Sequence, residues 1–493
     1  MRKCVSACLA LVLLGACYAD RVVGKAGAPE RERPVTPPSA AGKPRLPTLI
    51  APQANEGLFA ADPALGDVDG DGLDDFVIQG SPLSGSSDPA SWLYLFYGRS
   101  AFPEQLSTAD ADAVFHVEGG YDSTPLGDIN GDGLADFALI RSGSTEFVYG
   151  SKQRWSGMVT PFAAGPVWKH PDLPPPFASN YFGGLLVRRA HDWNGDGIDD
   201  LIVAAEKALP PEQFDVAGGF GAAVTAHLVL GKRGQWASAT WDPAWSEAEF
   251  GYEIQPPQPF EIGPSVEFLM PVGAGDLDGD GHADLVVNRP DASLYVFYGG
   301  RKFAQTVDAS QLDAQLEPPA QHDLIGGGDV DGDGAIDLLF RHSEGNALAV
   351  VYGARSAGRV QLEPDLVIEL LPEQYSIDAA IGDMDGDGSP DLGLAVVKLD
   401  GPFDAVGTEL TQNRFYIVRG SGERLVGRIR LDEGYLAGRE NVPLPDSLPG
   451  DWAVRMAGDV DGDGGGDMLT TVPPRPSDPG GVTLIPSAPR PPQ

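Results

Sequence analysis

A nine-residue pattern, Asp-x-Asp/Asn-Gly-Asp-Gly-x-x-Asp, occurs seven times in the 493-residue chain. Its acidic positions 1, 3, 5 and 9 are Asp67, Asp69, Asp71 and Asp75 in the first copy, and Asp128, Asn130, Asp132 and Asp136 in the second. They are Asp192, Asn194, Asp196 and Asp200 in the third, Asp276, Asp278, Asp280 and Asp284 in the fourth, and Asp329, Asp331, Asp333 and Asp337 in the fifth. The sixth has Asp383, Asp385, Asp387 and Asp391, and the seventh Asp459, Asp461, Asp463 and Asp467. Four such groups within nine residues repel one another strongly unless a hard cation lies among them. All-oxygen donors select calcium or magnesium over zinc or copper, and calcium accepts six to eight oxygens with flexible geometry. Up to seven structural calcium ions are therefore expected. Positions 4 and 6 are Gly in every copy, which suits a backbone turning tightly with positive φ. Position 7 varies freely, as a backbone-carbonyl ligand would allow. Position 2 is apolar throughout (Val68, Ile129, Trp193, Leu277, Val330, Met384, Val460), the mark of a side chain anchored in a core.

The loop begins like an EF-hand and ends differently. An EF-hand needs a bidentate Glu at position 12 and a following helix. Here position 12 is Ile78, Leu139, Val203, Val287, Phe340, Leu394 or Thr470, inside apolar runs such as DFVIQG and DLIVAA that read as strands. A plain Asp/Gly turn could explain one copy but not seven.

Successive loops start 61, 64, 84, 53, 54 and 76 residues apart. That spacing suits a four-stranded propeller blade. A second landmark follows each loop, an apolar run ending near Tyr-Gly or Gly: LYLFYG, FVYG, HLVLG, LYVFYG, LAVVYG, FYIVRG and, last, VTLIP. Each unit then reads strand, acidic loop, strand, Tyr-Gly strand, strand. With 64 Gly and 44 Pro, long helices are disfavoured. The fold expected is an all-β, seven-bladed propeller over residues 46–488, followed by a tail at 489–493. The last unit stops after its third strand, and Leu46-Pro47-Thr48-Leu49-Ile50 precedes the first unit without a role. This segment is expected to supply the last blade's fourth strand and so close the ring.

The loop, the strand after it and the Tyr-Gly strand resemble the FG-GAP/VCBS repeats of integrin α-subunit propellers and their bacterial relatives. The resemblance covers nearly all of 46–487. Its Phe-Gly element fits at Phe182-Gly183 and is degenerate elsewhere, and the Gly-Ala-Pro element is missing. Integrin subunits carry the acidic loop in only some blades, so seven copies look more like the bacterial forms. The resemblance implies structural ions within blades and ligand recognition elsewhere, often on the loop face.

All three Cys lie in the first 17 residues. Arg2 and Lys3 precede an apolar run from Val5 to Leu14, which reads as an export signal too short to span a bilayer. Leu14-Gly15-Ala16-Cys17 resembles a bacterial lipobox, making 1–16 a signal peptide and Cys17 a lipidation site; cleavage after Ala19 is the alternative. Residues 17–45, rich in Pro, read as a tether. A lipid-anchored protein of the bacterial envelope, on the outer membrane or cell surface, is expected.

The formal net charge is −37, of which seven divalent ions would offset about fourteen charges. No basic patch competes with this field, so nucleic acid is not an expected partner. Recognition of a protein or glycan by a monomer is expected, from the long interval between the third and fourth loops and from 155–181. Trp241, Trp245, Tyr252 and Trp168 are the candidate ligand-binding residues, with packing between blades as their alternative role. The His residues form no spaced cluster, and no nucleophile elbow, His-Glu-x-x-His or P-loop occurs. The reading is a binding or adhesion scaffold without catalytic residues. A propeller-type polysaccharide lyase and a structural envelope component are the alternatives.

Overall fold

The computed structural model describes residues 48–52, 56–59, 62–82, 91–117, 120–141, 143–159, 165–170, 185–208, 222–252, 271–288, 293–302, 306–307, 311–399, 410–420, 424–431, 454–472 and 481–487. Cys17, the signal and tether segments and Phe182-Gly183 lie outside these residues. The described chain folds into seven sheets, the blades of a propeller, each built on antiparallel strands.

Blade 2 illustrates the plan. Its first strand, Gly120–Gly127, leads into the acidic loop, and its second, Asp136–Arg141, starts on the loop's ninth residue. The third strand, Ser144–Val148, ends one residue before Tyr149-Gly150, and Val167–Lys169 is the fourth. The same order recurs in every blade, except that blade 6 shows three strands among the described residues. Sequence reading missed a fifth strand. In six sheets a short strand from the following blade pairs in parallel with the outer edge, as Gly157–Val159 does with Ala113–Val117 of blade 1. This strap covers an edge that would otherwise present unpaired backbone groups.

Blade 7 takes its fourth strand from the start of the described chain. Thr48–Ala51 pairs antiparallel with Gly481–Ile485 in the register Thr48↔Leu484, Leu49↔Thr483, Ile50↔Val482. First strands of neighbouring blades touch one another, and Val454–Gly458 of blade 7 meets Ala64–Gly66 of blade 1.

The core is divided among the blade junctions. Seven apolar clusters occur among the described residues, one at each junction between consecutive blades. The cluster joining blades 7 and 1 packs Ile50, Val460, Leu469 and Leu484 against Phe76 and Phe96. Each position-2 side chain is buried in the cluster shared with the next blade: Val68 at junction 1–2, Ile129 at 2–3, and so on to Val460 at 7–1.

Backbone hydrogen bonds link the loops into a belt. The carbonyl at position 1 of one loop accepts the N–H at position 8 of the next: Ala135→Asp67, Asp199→Asp128, Ala283→Asp192, Ile336→Asp276, Gly466→Asp383 and, across the ring closure, Asp74→Asp459, at 2.6–3.3 Å. At junction 5–6, position 8 is Pro390, which has no N–H to give. At two junctions the position-8 side chain returns a bond: Asp199 accepts from the Asp128 N–H and Asp74 from the Asp459 N–H, both at 2.8 Å.

Position 9 fixes each blade internally. Asp136 is fully buried, and it accepts the Ile129 N–H at 3.0 Å and the Gly150 N–H at 2.8 Å, tying the loop's start to the third strand. The other six position-9 carboxylates do the same, with Ser487 replacing the glycine in blade 7. The Tyr-Gly landmark follows from this approach. A Cβ on Gly150 would lie 2.5 Å from Leu134 Cβ and 2.6 Å from the Ala135 carbonyl oxygen.

Two outcomes are expected. Deleting residues 46–52 removes the antiparallel partner of blade 7 and buried Ile50, and should lower Tm by at least about 5 °C in calorimetry. Gly150→Ala should destabilise by about 2 kcal/mol or more through overpacking, whereas Ser487→Ala, where a side chain is already accommodated, should cost under about 1 kcal/mol, both read from denaturant melts.

Candidate metal centre

Every acidic loop adopts one backbone form. The glycines at positions 4 and 6 all have φ between +71° and +93°, the left-handed region that residues with a Cβ avoid. The turn gathers N–H groups onto the acidic side chains. In loop 1, Asp67 Oδ1 accepts from Gly70 at 2.6 Å and Asp67 Oδ2 from Gly72 at 2.9 Å. Asp69 Oδ1 accepts from the Asp71 N–H at 3.0 Å, and Asp71 Oδ1 from the Leu73 N–H at 2.9 Å. The position 5 to position 7 bond recurs in all seven loops.

This wrapping brings carboxylate oxygens together. Those of Asp67, Asp69 and Asp71 lie within 4.8 Å of one another, as do those of Asp276, Asp278 and Asp280, of Asp329, Asp331 and Asp333, of Asp383, Asp385 and Asp391, and of Asp459, Asp461 and Asp467. Loops 2 and 3 carry an amide at position 3. Asn194 Oδ1 accepts the Asp196 N–H at 2.9 Å, as an aspartate would, while Asn130 Nδ2 donates to Asp136 Oδ1 at 3.4 Å.

Electrostatically the loops call for positive charge. Burial pushes the position-9 carboxyls up to about 8 at Asp75, Asp136 and Asp467, against the two N–H bonds that favour their ionised form. It pushes them to about 7 at Asp200, Asp284, Asp337 and Asp391. Asp69 and Asp278 are also raised, first by burial and then by the carboxylates of Asp71 and Asp280. A cation does approach some loops, and it is a guanidinium. Arg154 pairs with Asp69 and, at 2.6 Å, with Asp71; Arg355 pairs with Asp278 at 2.7 Å and Asp280 at 3.5 Å. Arg424 pairs with Asp331 and, at 2.7 Å, with Asp333, and Arg419 pairs with Asp385. The donor set and these stand-in cations fit a hard divalent ion at positions 1, 3, 5 and 9.

Two features escaped sequence reading. The arginines were overlooked, although each lies within four residues of the glycine or arginine-glycine that ends a third strand. Position 7 was taken as indifferent to its side chain. In fact Leu134 packs over Gly70, Ile198 over Gly131, His282 over Gly195 and Leu73 over Gly462, each reaching the preceding loop. The side chain there sets how closely two loops approach.

The aromatic candidates divide. Trp168 and Trp241 are buried in the junction between blades 2 and 3, where they cannot meet an external ligand. Trp168 stacks on Trp236 with centroids 4.8 Å apart and planes at 11°. Trp245, 42% exposed on the turn Pro243–Trp245, stands edge-on to Trp241 at 5.8 Å. The Tyr252 backbone pairs with Val224, and its side chain lies outside the described residues. Of the four, Trp245 alone is shown to be accessible.

Residues 272–307, which include the fourth acidic loop, match the FG-GAP repeat. Integrin alpha-PS5 of Drosophila melanogaster is 26% identical over 170 residues, which is 32% of this chain and 15% of that protein, so the similarity spans less than a sixth of the relative's length. Similar solved structures include an Agrocybe aegerita lectin specific for non-reducing terminal N-acetylglucosamine (13% identical, covering 88% of this chain and 91% of that one, TM-score 0.34). They also include a rhamnogalacturonan lyase of Bacillus licheniformis (12% identical, 90% and 74% covered, TM-score 0.31). The chain is thus a seven-bladed β-propeller that carries an FG-GAP repeat match at residues 272–307 and is similar over part of its length to an integrin α subunit.

Proposed function

We propose that the protein is a calcium-stabilised extracytoplasmic binding scaffold, lipid-anchored through Cys17, that recognises a protein or glycan through irregular segments between its strands. The observation that carries the calcium part is the placement of the carboxylates. In each loop the groups suited to hold an ion are also bonded to the loop backbone and, through position 9, to the third strand. An ion there would neutralise charge at the hinge between strands and across each blade junction. Positions 1, 3, 5 and 9 of each loop would hold it, Asn130 and Asn194 lending amide oxygens in loops 2 and 3. The even spread of the loops around the ring favours a structural ion over one reaction centre, and exposed Trp245 gives a binding surface a first anchor. The integrin-like relative favours an extracellular or surface setting.

The ions' contribution can be large. With a dissociation constant of about 0.1 mM, 1 mM calcium stabilises by roughly 1.4 kcal/mol per site, and seven sites give about 10 kcal/mol. Chelation should therefore lower Tm by about 10 °C or more, reversed by calcium; a melt indifferent to chelator overturns the reading.

A pH dependence follows from the position-9 carboxyls. Their native pKa values, near 7 and 8, lie above the unfolded value, so the native state holds more protons than the unfolded chain between about pH 4 and pH 8. Without calcium, stability should be full near pH 4 as far as these groups go, and fall as pH rises toward 8. Saturating calcium should abolish that fall, because the ion competes with the proton. Melts at pH 5.5 and 8, with and without chelator, test both signs.

Recognition is tested separately by glycan arrays and by calcium-dependent pull-down from envelope extract, comparing wild type with Trp245→Ala. A panel of acidic polysaccharides watched for unsaturated products tests the lyase alternative. Unsaturated products without ligand retention would replace the scaffold reading.

A further inference from the structure

Three of the loop-bound arginines share a construction that pattern matching on the loops misses. Arg154, Arg355 and Arg424 each belong to the blade after the loop they touch, and so bridge junctions 1–2, 4–5 and 5–6. Each guanidinium also lies over the landmark tyrosine of the loop's own blade: Arg154 over Tyr97 at 4.7 Å, Arg355 over Tyr298 at 4.7 Å and Arg424 over Tyr352 at 4.4 Å. The residue after each arginine bonds that tyrosine's hydroxyl. The Trp155 and Ser356 N–H groups donate to Tyr97 and Tyr298 at 2.8 and 2.6 Å, and Tyr352 donates to the Leu425 carbonyl at 2.5 Å. The tyrosine thus aims the arginine at positions 3 and 5.

Junction 2–3 is the natural control. There the Trp236 N–H meets the Tyr149 hydroxyl at 2.9 Å, so Gln235 occupies the arginine's place. The loop it follows carries Asn130, not Asp, at position 3. Where the loop has three charges the arginine is absent; where it has four, at these three junctions, it is present. Arg424 also crosses the junction where Pro390 leaves the backbone belt without its bond.

We propose that Arg154, Arg355 and Arg424 are resident counter-cations, which hold loops 1, 4 and 5 to the following blade when divalent ions are scarce and weaken those loops' affinity for calcium. The proposal rests on the calcium reading above. The guanidinium engages the Oδ2 atoms of positions 3 and 5, whose Oδ1 atoms are already bonded to loop N–H groups, so an arriving ion must displace or share it. The repulsion of two cations at contact range opposes binding. The arginine side chains are 43–62% exposed, so water and salt screen the clamp and it yields to calcium.

The test is the triple variant R154Q/R355Q/R424Q, which copies Gln235, beside R233Q as a control arginine whose guanidinium donates to the Gly131 carbonyl and, among the described residues, pairs with no loop carboxylate. Calorimetric calcium titration should show three sites tightened by about tenfold, and melts in chelator should show a lower Tm than wild type, while R233Q changes neither. Unchanged or weakened calcium affinity, or an unchanged Tm in chelator, overturns the clamp. If the triple variant needs calcium to fold, the three single variants carry the titration, each expected to tighten one site. Wild type that binds no calcium fails the calcium reading itself, whereas normal wild-type binding with unshifted variants fails the clamp alone.

Discussion

The structure depends on one buried carboxylate repeated seven times. An aspartate with no exposed surface is costly unless hydrogen bonds or opposite charge compensate it. Here each position-9 aspartate takes two backbone N–H groups, one from the loop's second residue and one from the residue closing the third strand. That pair of bonds sets the blade's local geometry. It fixes where the first strand ends, brings the third strand so close over the loop that six of the seven blades place glycine there, and leaves a carboxyl whose charge is poorly compensated by N–H groups alone. The raised pKa values express that residual need, and a divalent ion among positions 1, 3 and 5 would meet it.

The same loops join one blade to the next. Position 1 gives its carbonyl to the following loop, position 2 sends an apolar side chain into the shared cluster, and at four junctions the position-7 side chain packs back over the preceding loop's glycine. The junctions are built alike yet not identically. Junctions 2–3 and 7–1 gain a returning aspartate bond, and junction 5–6 lacks the belt bond but is crossed by Arg424. The closing junction is thus among the better tied, which suits the place where chain connectivity does not hold neighbouring blades together.

Much of this was legible in the sequence because the motif encodes it directly. Invariant glycine announces positive φ, invariant apolar position 2 announces a core contact, and an acidic group at position 9 followed by alternating apolar residues announces a strand rather than a helix. The remainder was hidden for a physical reason. The arginines, the parallel straps and the packing of Leu134 on Gly70 are contacts between blades, and their partners lie tens of residues away with no fixed offset. The tryptophans show the other limit. Trp168 and Trp241 read as surface anchors because they sit in long intervals, but they fill the core of a blade junction together with Phe147, Tyr149 and Trp236.

Because loop and junction are one element, any ion held there acts on the ring and not on a single blade. In a linear repeat array, each unit's stability adds to the interfaces with its neighbours, and the ends fray. Here the belt returns from Asp459 to Asp74, so loosening one loop weakens two junctions and no terminal blade is free to fray independently. Charge neutralisation at the seven loops then favours a single cooperative body. That rigidity is what a recognition surface made of irregular inter-strand segments requires, since such segments present a defined shape only when the strands beneath them are fixed.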